Sequence, residues 1–459
     1  MSDSQHAGGN PEKAGATHLL AVVMRLYARH GAAAAALGVR LSAAGLAYLL
    51  QIVLARSLGS ADYGTFSFTW SLVTIGGFLA TLGFGQIAVR FLAQYHHDGQ
   101  HGLARGFLRA GLAASLIGSL VIACAALLMR PALEQGYGEL CTATLTIGLI
   151  SLPFFALTDF MEGVARSQGW TIRALVPPYI VRQGLLILML LVALVIGRKI
   201  GAETAMLGAL IATFLAALTQ AALLIGKLKA AIPREPAYYA FNIWNEAARP
   251  TLLSDLALLA RQNMDLIVMG LLAPPEAVGL YFAATRVASL LGLIDFAIGA
   301  AFGHRFARAA REDGTSGTPT QLGSLYAEAR RLTSLPGLLA AVLLMLGAPI
   351  FMLLFGPAFA AAVVPAQILL AAGGLKLLIG PAEDALSMAG HPETVWRANA
   401  IGALVMTILC LMLTPHWQAL GAAFAAAGGI IATNLMLLRG LKEHLGIAPL
   451  QRTSAKALA

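Results

Sequence analysis

Long apolar stretches separated by short polar segments fill almost the whole chain. A helix that crosses a membrane needs about 20 consecutive apolar residues. Windows of that size occur at roughly 32–56, 64–86, 106–129, 139–163, 175–197, 204–226, 252–272, 278–302, 334–355, 362–387, 398–414 and 418–438. The pattern therefore predicts an all-α polytopic membrane protein with about twelve transmembrane helices.

The amino-acid composition also indicates that much of this chain lies in a lipid bilayer. Of its 459 residues, 58% are hydrophobic and 12% are charged, with a mean hydropathy of +0.76. A soluble domain carries about a quarter charged residues. The net charge of +9 would suit a nucleic-acid partner, but no basic tract is interleaved with aromatic residues. We therefore assign the charge to loops on one side of a membrane and exclude nucleic-acid binding.

The distribution of Lys and Arg predicts the orientation of the chain. If the N-terminus is cytoplasmic, most of the 31 Lys and Arg residues fall in cytoplasmic segments. The opposite side then holds only Arg56, Arg130, Arg198 and Lys199. Such asymmetry is typical of the positive-inside rule and predicts that both termini lie in the cytoplasm.

The order of apolar and polar segments predicts five regions. A cytoplasmic tail spans 1–31, in which 1–17 has the composition of a disordered segment and His18–His30 suits a helix on the membrane surface. Six helices follow in 32–226, then a polar linker in 227–251. Six more helices in 252–438 precede a cytoplasmic tail in 439–459.

The two sets of six helices resemble each other in sequence. Gly64 follows SADY, and Gly279 follows PPEAV, 215 positions later. Asp159 precedes Arg173 by the same interval as Glu383 precedes Arg397. The matches occur in the same order, which predicts a duplicated six-helix unit whose copies start from the same side of the membrane.

Several predicted spans contain charged residues, including the stretch LLARQNMDLIVMGLL at Leu258–Leu272. A charge at the centre of a membrane helix costs roughly 2.5–3.5 kcal/mol. Such side chains therefore face a partner or a wet cavity, and we expect most of them to line one polar interior. They are Arg40, Asp159, Asp255, Arg261, Asp265, Arg286, Asp295, Lys376, Glu383 and Asp384.

Depth along the spans suggests which of these charges meet. Asp265 and Arg286 lie at similar depth and are predicted to form an ion pair, while Asp255 and Asp295 share a level nearer the cytoplasm. Arg40, Arg261 and Lys376 have no equally obvious carboxylate partner. Two interpretations stay open for these charges: pairs that fix helix register, or groups that contact a substrate. Unpaired cations in a low-dielectric wall attract phosphate, so we expect a chamber between two lobes that holds an anionic head group.

Signs of enzymatic chemistry are missing from the sequence. It contains no P-loop lysine motif and no GxSxG segment, and Cys124, Cys141 and Cys410 fit free thiols. His96, His97 and His101 fit a solvated loop better than a metal site. We therefore expect no catalytic residue, metal or cofactor, and an energy source in an ion gradient (H⁺ or Na⁺) or in the substrate gradient.

Three stretches together resemble the bacterial polysaccharide exporters, including the O-antigen flippases. QIVLARSLGSADYGTFSFTWSLVTIGGFLATLGFGQIAVRFLA is similar to their opening helical pair. NMDLIVMGLLAPPEAVGLYFAATRVASLL resembles the start of their second half, and LLFGPAFAAAVVPAQILLAAGG is similar to a later segment. This family belongs to the multidrug/oligosaccharidyl-lipid/polysaccharide exporter (MOP) superfamily.

The resemblance implies two six-helix lobes forming a V around a central cavity, and alternating access in the bacterial cytoplasmic membrane. Its cargo would be an oligosaccharide linked to polyprenyl pyrophosphate, used for lipopolysaccharide, O-antigen or exopolysaccharide. Membrane lipids, a polysaccharide polymerase and glycosyltransferases would be the partners. Carried onto this chain, the candidates for substrate binding are Arg40, Arg261, Arg286 and Lys376. The candidates for ion coupling or charge pairing are Asp159, Asp255, Asp265, Asp295 and Glu383.

Two alternatives remain. A multidrug/cation antiporter of the same superfamily would favour a cavity dominated by acids and aromatic residues over one with several cations. A membrane glycan polymerase or ligase would need a large extracytoplasmic loop, and every predicted outer loop is short.

Overall fold

The computed structural model describes the backbone of residues 11–128, 130–233, 235–316 and 320–447, and the side chains in these ranges except at 11–37, 130–141, 254, 257, 300, 313–316 and 320. In these ranges the chain is mostly helical and forms no strand. The α-helices are α1 (Pro11–Ala80), α2 (Phe84–His97), α3 (His101–Leu128), α4 (Arg130–Ser167), α5 (Thr171–Val176), α6 (Arg182–Val195), α7 (Ala202–Ala231), α8 (Phe241–Leu272), α9 (Pro275–Ala288), α10 (Gly292–Ser316), α11 (Thr320–Phe355), α12 (Val363–Ile379), α13 (Ala382–Met388) and α14 (Pro392–Leu445).

Two of the longest helices fold back on themselves. In α1 the backbone leaves the helical conformation at Gly59, where φ is 75°. The Tyr63 hydroxyl then donates to the Gln51 side-chain oxygen at 2.8 Å, although a straight helix would separate these residues by about 18 Å. In α14 the break is at Gln418, with φ 46°. α1 and α14 therefore each contain two antiparallel helices joined by a sharp turn.

These reversals account for the predicted number of crossings. Nine helical stretches in the described residues are long and apolar enough to span a membrane. Two of them, Gly38–His97 and Pro392–Leu445, contain the turns at Gly59 and Gln418 and cross twice. The 32-residue helix α8 adds one further crossing, although its charges make it less apolar than the others. The described helices thus agree with the twelve apolar windows.

Some predicted spans are interrupted helices. A π-helical turn at Pro177–Val181 joins α5 to α6, and a 3₁₀ segment at Ser289–Leu291 joins α9 to α10. Gly380, with φ 82°, and Pro381 separate α12 from α13. Proline lacks a backbone N–H and clashes with the preceding turn, which explains the first and third of these interruptions.

The two halves of the chain pack together at one end of the helices, here called the closed end. It contains the α1 turn at Gly59 and the short connection Ala273–Pro274 between α8 and α9. One continuous apolar core there includes Tyr63 of the first half and Phe282 and Phe359 of the second, with ring centroids 5.8 and 5.6 Å from the Tyr63 ring. The halves therefore share a hydrophobic core at this end.

Gly64 and Gly279, the glycines that occupy equivalent positions in the two halves, lie against each other at the closed end. A Cβ on Gly64 would overlap the Pro275 carbonyl oxygen and lie 2.8 Å from the Gly279 nitrogen. A Cβ on Gly279 would overlap the Ser60 carbonyl oxygen and lie 3.1 Å from the Gly64 nitrogen. This reciprocal contact is what a duplicated unit with a pseudo-twofold axis produces.

At the opposite end, here called the open end, each half has a separate apolar core. Phe107 and Phe160 lie in the core of the first half, and Phe306 and Tyr326 lie in the core of the second. One shared core at the closed end and two separate cores at the open end give the V shape expected for two six-helix lobes.

Helix α8 connects the two lobes near the open end. The indole N–H of Trp244 donates to the Tyr95 hydroxyl at 2.9 Å, so the start of α8 is part of the first core. Beyond Pro250, α8 packs on α14 of the second lobe. One helix thus belongs to both lobes, with a proline between its two contact regions.

Two predicted boundaries differ from the structure. Residues 11–17, expected to be disordered, are the start of α1, and His18–His30 continue that helix; residues 1–10 and 448–459 lie outside the described residues. The linker predicted at 227–251 is confined to residues 232–240, because α7 continues to Ala231 and α8 begins at Phe241. Pro233 and Pro236 lie in this connection, where a proline disfavours continuation of a helix.

Candidate functional site

A cavity of about 310 Å³ lies within the second lobe. Helices α8, α9, α10, α12, α13 and α14 and the 3₁₀ segment provide its walls. Its charged residues are Arg261, Asp265, Asp295, Lys376 and Glu383. Five of the ten predicted intramembrane charges therefore meet in one wet space. The lining of this cavity comes from α8–α14, whereas other recesses lie between helices of the first half and α8 or α9.

The polar residues of α8 divide between two cavities. Arg261 and Asp265 are four positions apart, so they share a helix face, and both line the cavity of the second lobe. Asp255 and Gln262 lie on another face and line a recess of about 220 Å³ in the first lobe. The arrangement explains why this helix carries so many polar groups: it lies between two recesses and lines both of them.

Arg261 is a cation of this cavity for which the described residues provide no hydrogen-bond partner. Its Nε atom is buried and has no hydrogen-bond partner among the described residues. A buried polar group without a partner is costly and is a sign of an absent ion, water or ligand. Arginine offers a planar set of donors suited to two oxygens of one phosphate group.

Asp265 is held by a tyrosine instead of by the predicted Arg286. Its carboxylate accepts hydrogen bonds from the Tyr281 hydroxyl at 2.5 Å and from the Leu266 backbone N–H at 2.8 Å. The guanidinium of Arg286 lies over the Phe282 ring, 4.3 Å from its centroid. The predicted Asp265–Arg286 ion pair is therefore wrong, since depth along two helices does not fix which faces meet.

We expect Tyr281→Phe to lower the free energy of unfolding by about 1–3 kcal/mol, because the Asp265 carboxylate loses a buried donor. The midpoint of thermal unfolding in detergent measures the effect. Tyr48→Phe is the matched control, because the Tyr48 hydroxyl is buried without a partner among the described residues and its removal should be neutral. Equal midpoints for the two variants would contradict the role given to Tyr281.

Lys376 has a carboxylate partner that sequence analysis missed. Its Nζ atom lies 2.5 Å from Asp295 Oδ2. Both residues also line a second recess of about 430 Å³, together with Glu383 and Asp384. Asp255 and Asp295 line different recesses, on opposite sides of α8. A 3₁₀ helix has fewer residues per turn than an α-helix, so the 3₁₀ segment before α10 rotates Asp295 relative to the residues of α9.

The recess of the first lobe contains carboxylates from two helices. Asp159 and Glu162 of α4 and Asp255 of α8 line it. Arg166 Nη1 lies 3.3 Å from Glu162 Oε1 in the same recess. Glu162 was overlooked, although its spacing of three from Asp159 and four from Arg166 places all three on one helix face. Asp159 and Glu383, equivalent in the duplicated halves, thus line separate recesses in their own lobes.

Arg182 is a further cation within a span that the sequence analysis did not single out. It begins α6 within the stretch Thr171–Val195. Its guanidinium lies 5.1 Å from the Phe155 ring centroid and 5.6 Å from that of Trp70. Cation–π contacts of this kind stabilise a desolvated guanidinium.

The last two predicted cations lie outside the cavity of the second lobe. Arg286 lines a cleft of about 420 Å³ together with Gln51 of α1, and its Nε has no partner among the described residues. Arg40 is exposed, with its guanidinium 5.4 Å from the Phe296 ring centroid. The intramembrane charges are therefore spread over several recesses, and the prediction of one common interior holds only for those around Arg261.

The described residues contain no group of three or more His, Cys, Asp or Glu side chains arranged to hold a metal ion. The lining of the cavity of the second lobe suits recognition of a polar anion. The Arg261 guanidinium and the Lys376 ammonium can donate hydrogen bonds to phosphate oxygens, and amide and hydroxyl groups such as Asn434 and Thr433 can bind sugar hydroxyls.

Comparison with solved structures gives three informative likenesses. The chain is similar to an inward-facing multidrug resistance transporter of the MATE family of the MOP superfamily, with TM-score 0.67 and 16% identity over 91% of this chain and 99% of that one. It is similar to the lipid II flippase MurJ in an inward closed conformation, with TM-score 0.67 and 14% identity over 88% and 86% of the two chains. An outward-facing MATE transporter gives TM-score 0.57 and 18% identity over 90% and 94%. At these identities the likeness concerns the fold.

No curated protein sequence matches the chain significantly. A family model does match, over residues 32–302, and its description is polysaccharide biosynthesis protein. Because the match covers more than half of the chain, the protein belongs to the polysaccharide biosynthesis protein family.

Proposed function

We propose that the protein is a flippase that moves an oligosaccharide linked to polyprenyl pyrophosphate across the bacterial cytoplasmic membrane. The observation that carries the proposal is the buried Arg261 Nε, which has no partner among the described residues, in the same cavity as Lys376. A pyrophosphate offers several oxygens and more than one negative charge, which suits two cations in a low-dielectric wall. Membership of the polysaccharide biosynthesis family supports a glycan as the group attached to it.

The V shape supports alternating access as the mechanism. The lobes share one core at the closed end and have separate cores at the open end. The Lys and Arg residues are concentrated in segments at the open end, which supports a cytoplasmic open end and cytoplasmic termini. The guest would enter from the cytoplasmic side, with its lipid tail remaining in the bilayer and its head group in the cavity.

Other candidate residues have subsidiary parts in this proposal. Arg286 faces a cleft between α1 and α9 that a phosphate could enter, and Arg40 lies exposed near the start of the first span. Asp159, Asp255, Asp295 and Glu383 are the candidates for coupling to an H⁺ or Na⁺ gradient. Glycosyltransferases would supply the substrate and a polymerase would use the product, for O-antigen, other lipopolysaccharide or exopolysaccharide.

Deletion of the gene tests this function. We expect loss of a surface glycan and accumulation of lipid-linked oligosaccharide that faces the cytoplasm, because synthesis continues while export stops. Glycan gel profiles and lipid extraction measure the two effects. Unchanged surface glycan, with no accumulated precursor, would rule the function out.

A multidrug/cation antiporter is the second candidate. The carboxylate-lined recess of the first lobe favours it, because such groups attract cations. A drug-sensitivity assay in a pump-deficient host separates the two functions: the antiporter would raise resistance, whereas the flippase would leave it unchanged. A polymerase or ligase has weaker support, since the connections at the closed end, such as Ala273–Pro274, leave little room for a catalytic loop.

A further inference from the structure

Lys376 lines two adjoining spaces. One is the cavity of the second lobe, which also contains Arg261. The other is the recess that contains Asp384, and Asp295 and Glu383 line both spaces. In the structure the ammonium group pairs with Asp295, with Nζ and Oδ2 separated by 2.5 Å.

The Lys376–Asp295 pair is open to water. The side chains are 34% and 31% exposed, and ion pairs that water reaches contribute little net stability. Lysine is a compact charge on a flexible stem with three donors that can be directed to a new acceptor. The pair therefore has the properties of a contact that can be exchanged.

We propose that Asp295 is a positioning residue that holds Lys376 as an internal counter-ion in the empty cavity, and that a phosphate group of the guest replaces it as the partner of Lys376. The inference rests on the proposed function, because it needs an anionic guest. No covalent step is involved; one ion pair dissociates and another forms.

The exchange favours guests with more than one negative charge. A singly charged phosphate diester, as in bulk phospholipids, would replace one carboxylate by one phosphate and gain little. A pyrophosphate can engage Lys376 and Arg261 together, which offsets the repulsion among Asp295, Glu383 and Asp384 once Asp295 has lost its cation. Asp295 would thus keep the cavity from filling with ordinary anionic lipids.

The test uses the full-length protein in phosphatidylcholine nanodiscs, with inorganic pyrophosphate as the probe. Calorimetry gives its affinity, and amine acylation followed by mass spectrometry gives the reactivity of Lys376, with exposed Lys442 as the internal reference. We expect pyrophosphate to protect Lys376 but not Lys442 in the wild-type protein. In Asp295→Asn we expect higher Lys376 reactivity without pyrophosphate and about fivefold tighter pyrophosphate binding, because the internal competitor is gone.

Two further variants complete the test. Lys376→Gln should weaken pyrophosphate binding about tenfold, because one cation is lost. Glu393→Gln removes a carboxylate from the exposed pair with Arg397 and should leave both readouts at wild-type values.

Protection of Lys376 in the wild-type protein needs no variant, so it remains informative if Asp295→Asn fails to fold. Pyrophosphate binding that depends on Arg261 but leaves Lys376 reactivity unchanged would overturn the exchange and leave the proposed function standing. Unchanged affinity in a folded Asp295→Asn would overturn it as well. If pyrophosphate bound neither the wild-type protein nor Asp295→Asn, the anion site and the flippase function would fall together.

Discussion

Arg261→Gln is expected to reduce export of the lipid-linked oligosaccharide roughly 30- to 150-fold, because a charged hydrogen bond to phosphate in a desolvated site contributes about 2–3 kcal/mol. The large effect is expected because the described part of the chain offers Arg261 Nε no partner that could compete with the phosphate. No described residue accepts from the Arg261 Nε, so the substitution leaves no carboxylate stranded. The loss should therefore appear in transport and not in folding.

Export by Arg261→Gln is measured as the amount of surface glycan in a deletion strain that carries the variant. The midpoint of thermal unfolding in detergent shows whether the variant is folded. Arg261→Lys should recover part of the export, since it keeps the charge and loses the paired donors. Arg397→Gln is the control, because Arg397 belongs to an exposed pair outside the cavity. Normal export by Arg261→Gln would remove the main support for phosphate recognition.

We expect Gly64→Ala to favour a conformation in which the two lobes are separated at the closed end, where they share a core in the structure. The added Cβ would overlap the Pro275 carbonyl oxygen, and backbone atoms have little freedom to move away. Overpacking of this kind costs about 1–3 kcal/mol, which corresponds to roughly a 5- to 150-fold change in a conformational equilibrium. Export should fall because the conformation with the lobes packed together at the closed end becomes too rare.

The distance between spin labels at Glu203→Cys and Glu276→Cys measures this shift. Both positions are exposed near the closed end, one in each lobe, and the native cysteines are replaced first. We expect a longer mean distance in Gly64→Ala than in the otherwise identical wild-type protein. Gly226→Ala is the matched control, since a Cβ at Gly226 meets no atom within 4 Å. The same distance in both proteins would show that the glycine contact does not determine the conformation.

The number of helices and the duplication could be predicted from sequence because both depend on local patterns. Apolar windows of membrane length give the crossings, and a repeated spacing gives the relation between Gly64 and Gly279, which the structure places in contact. The sequence could not show that α1 and α14 turn back within assigned helices, because Gly59 and Gln418 are single positions whose φ depends on the packing around them.

The pairing of charges was predicted less well than their presence in the spans. The sequence offered no obvious carboxylate partner for Lys376, whereas in the structure Asp295, which follows the 3₁₀ segment, lies beside it. Asp265 was assigned to a cation although Tyr281 is the donor that reaches it. Pairing depends on which faces of two helices meet, and a sequence gives depth along each helix but not rotation about its axis.

The attachment of α8 to both lobes has a mechanical consequence. Its start is fixed to the first lobe by Trp244 and its remainder packs on the second. When the lobes move relative to each other, α8 has to bend between these two contact regions. Pro250 lies between them, and a helix bends most easily at a proline. Arg261 lies three turns further along, so the bending that reverses the opening would also swing this guanidinium relative to its surroundings. The movement of the lobes that exposes the cargo would then also weaken its binding to Arg261.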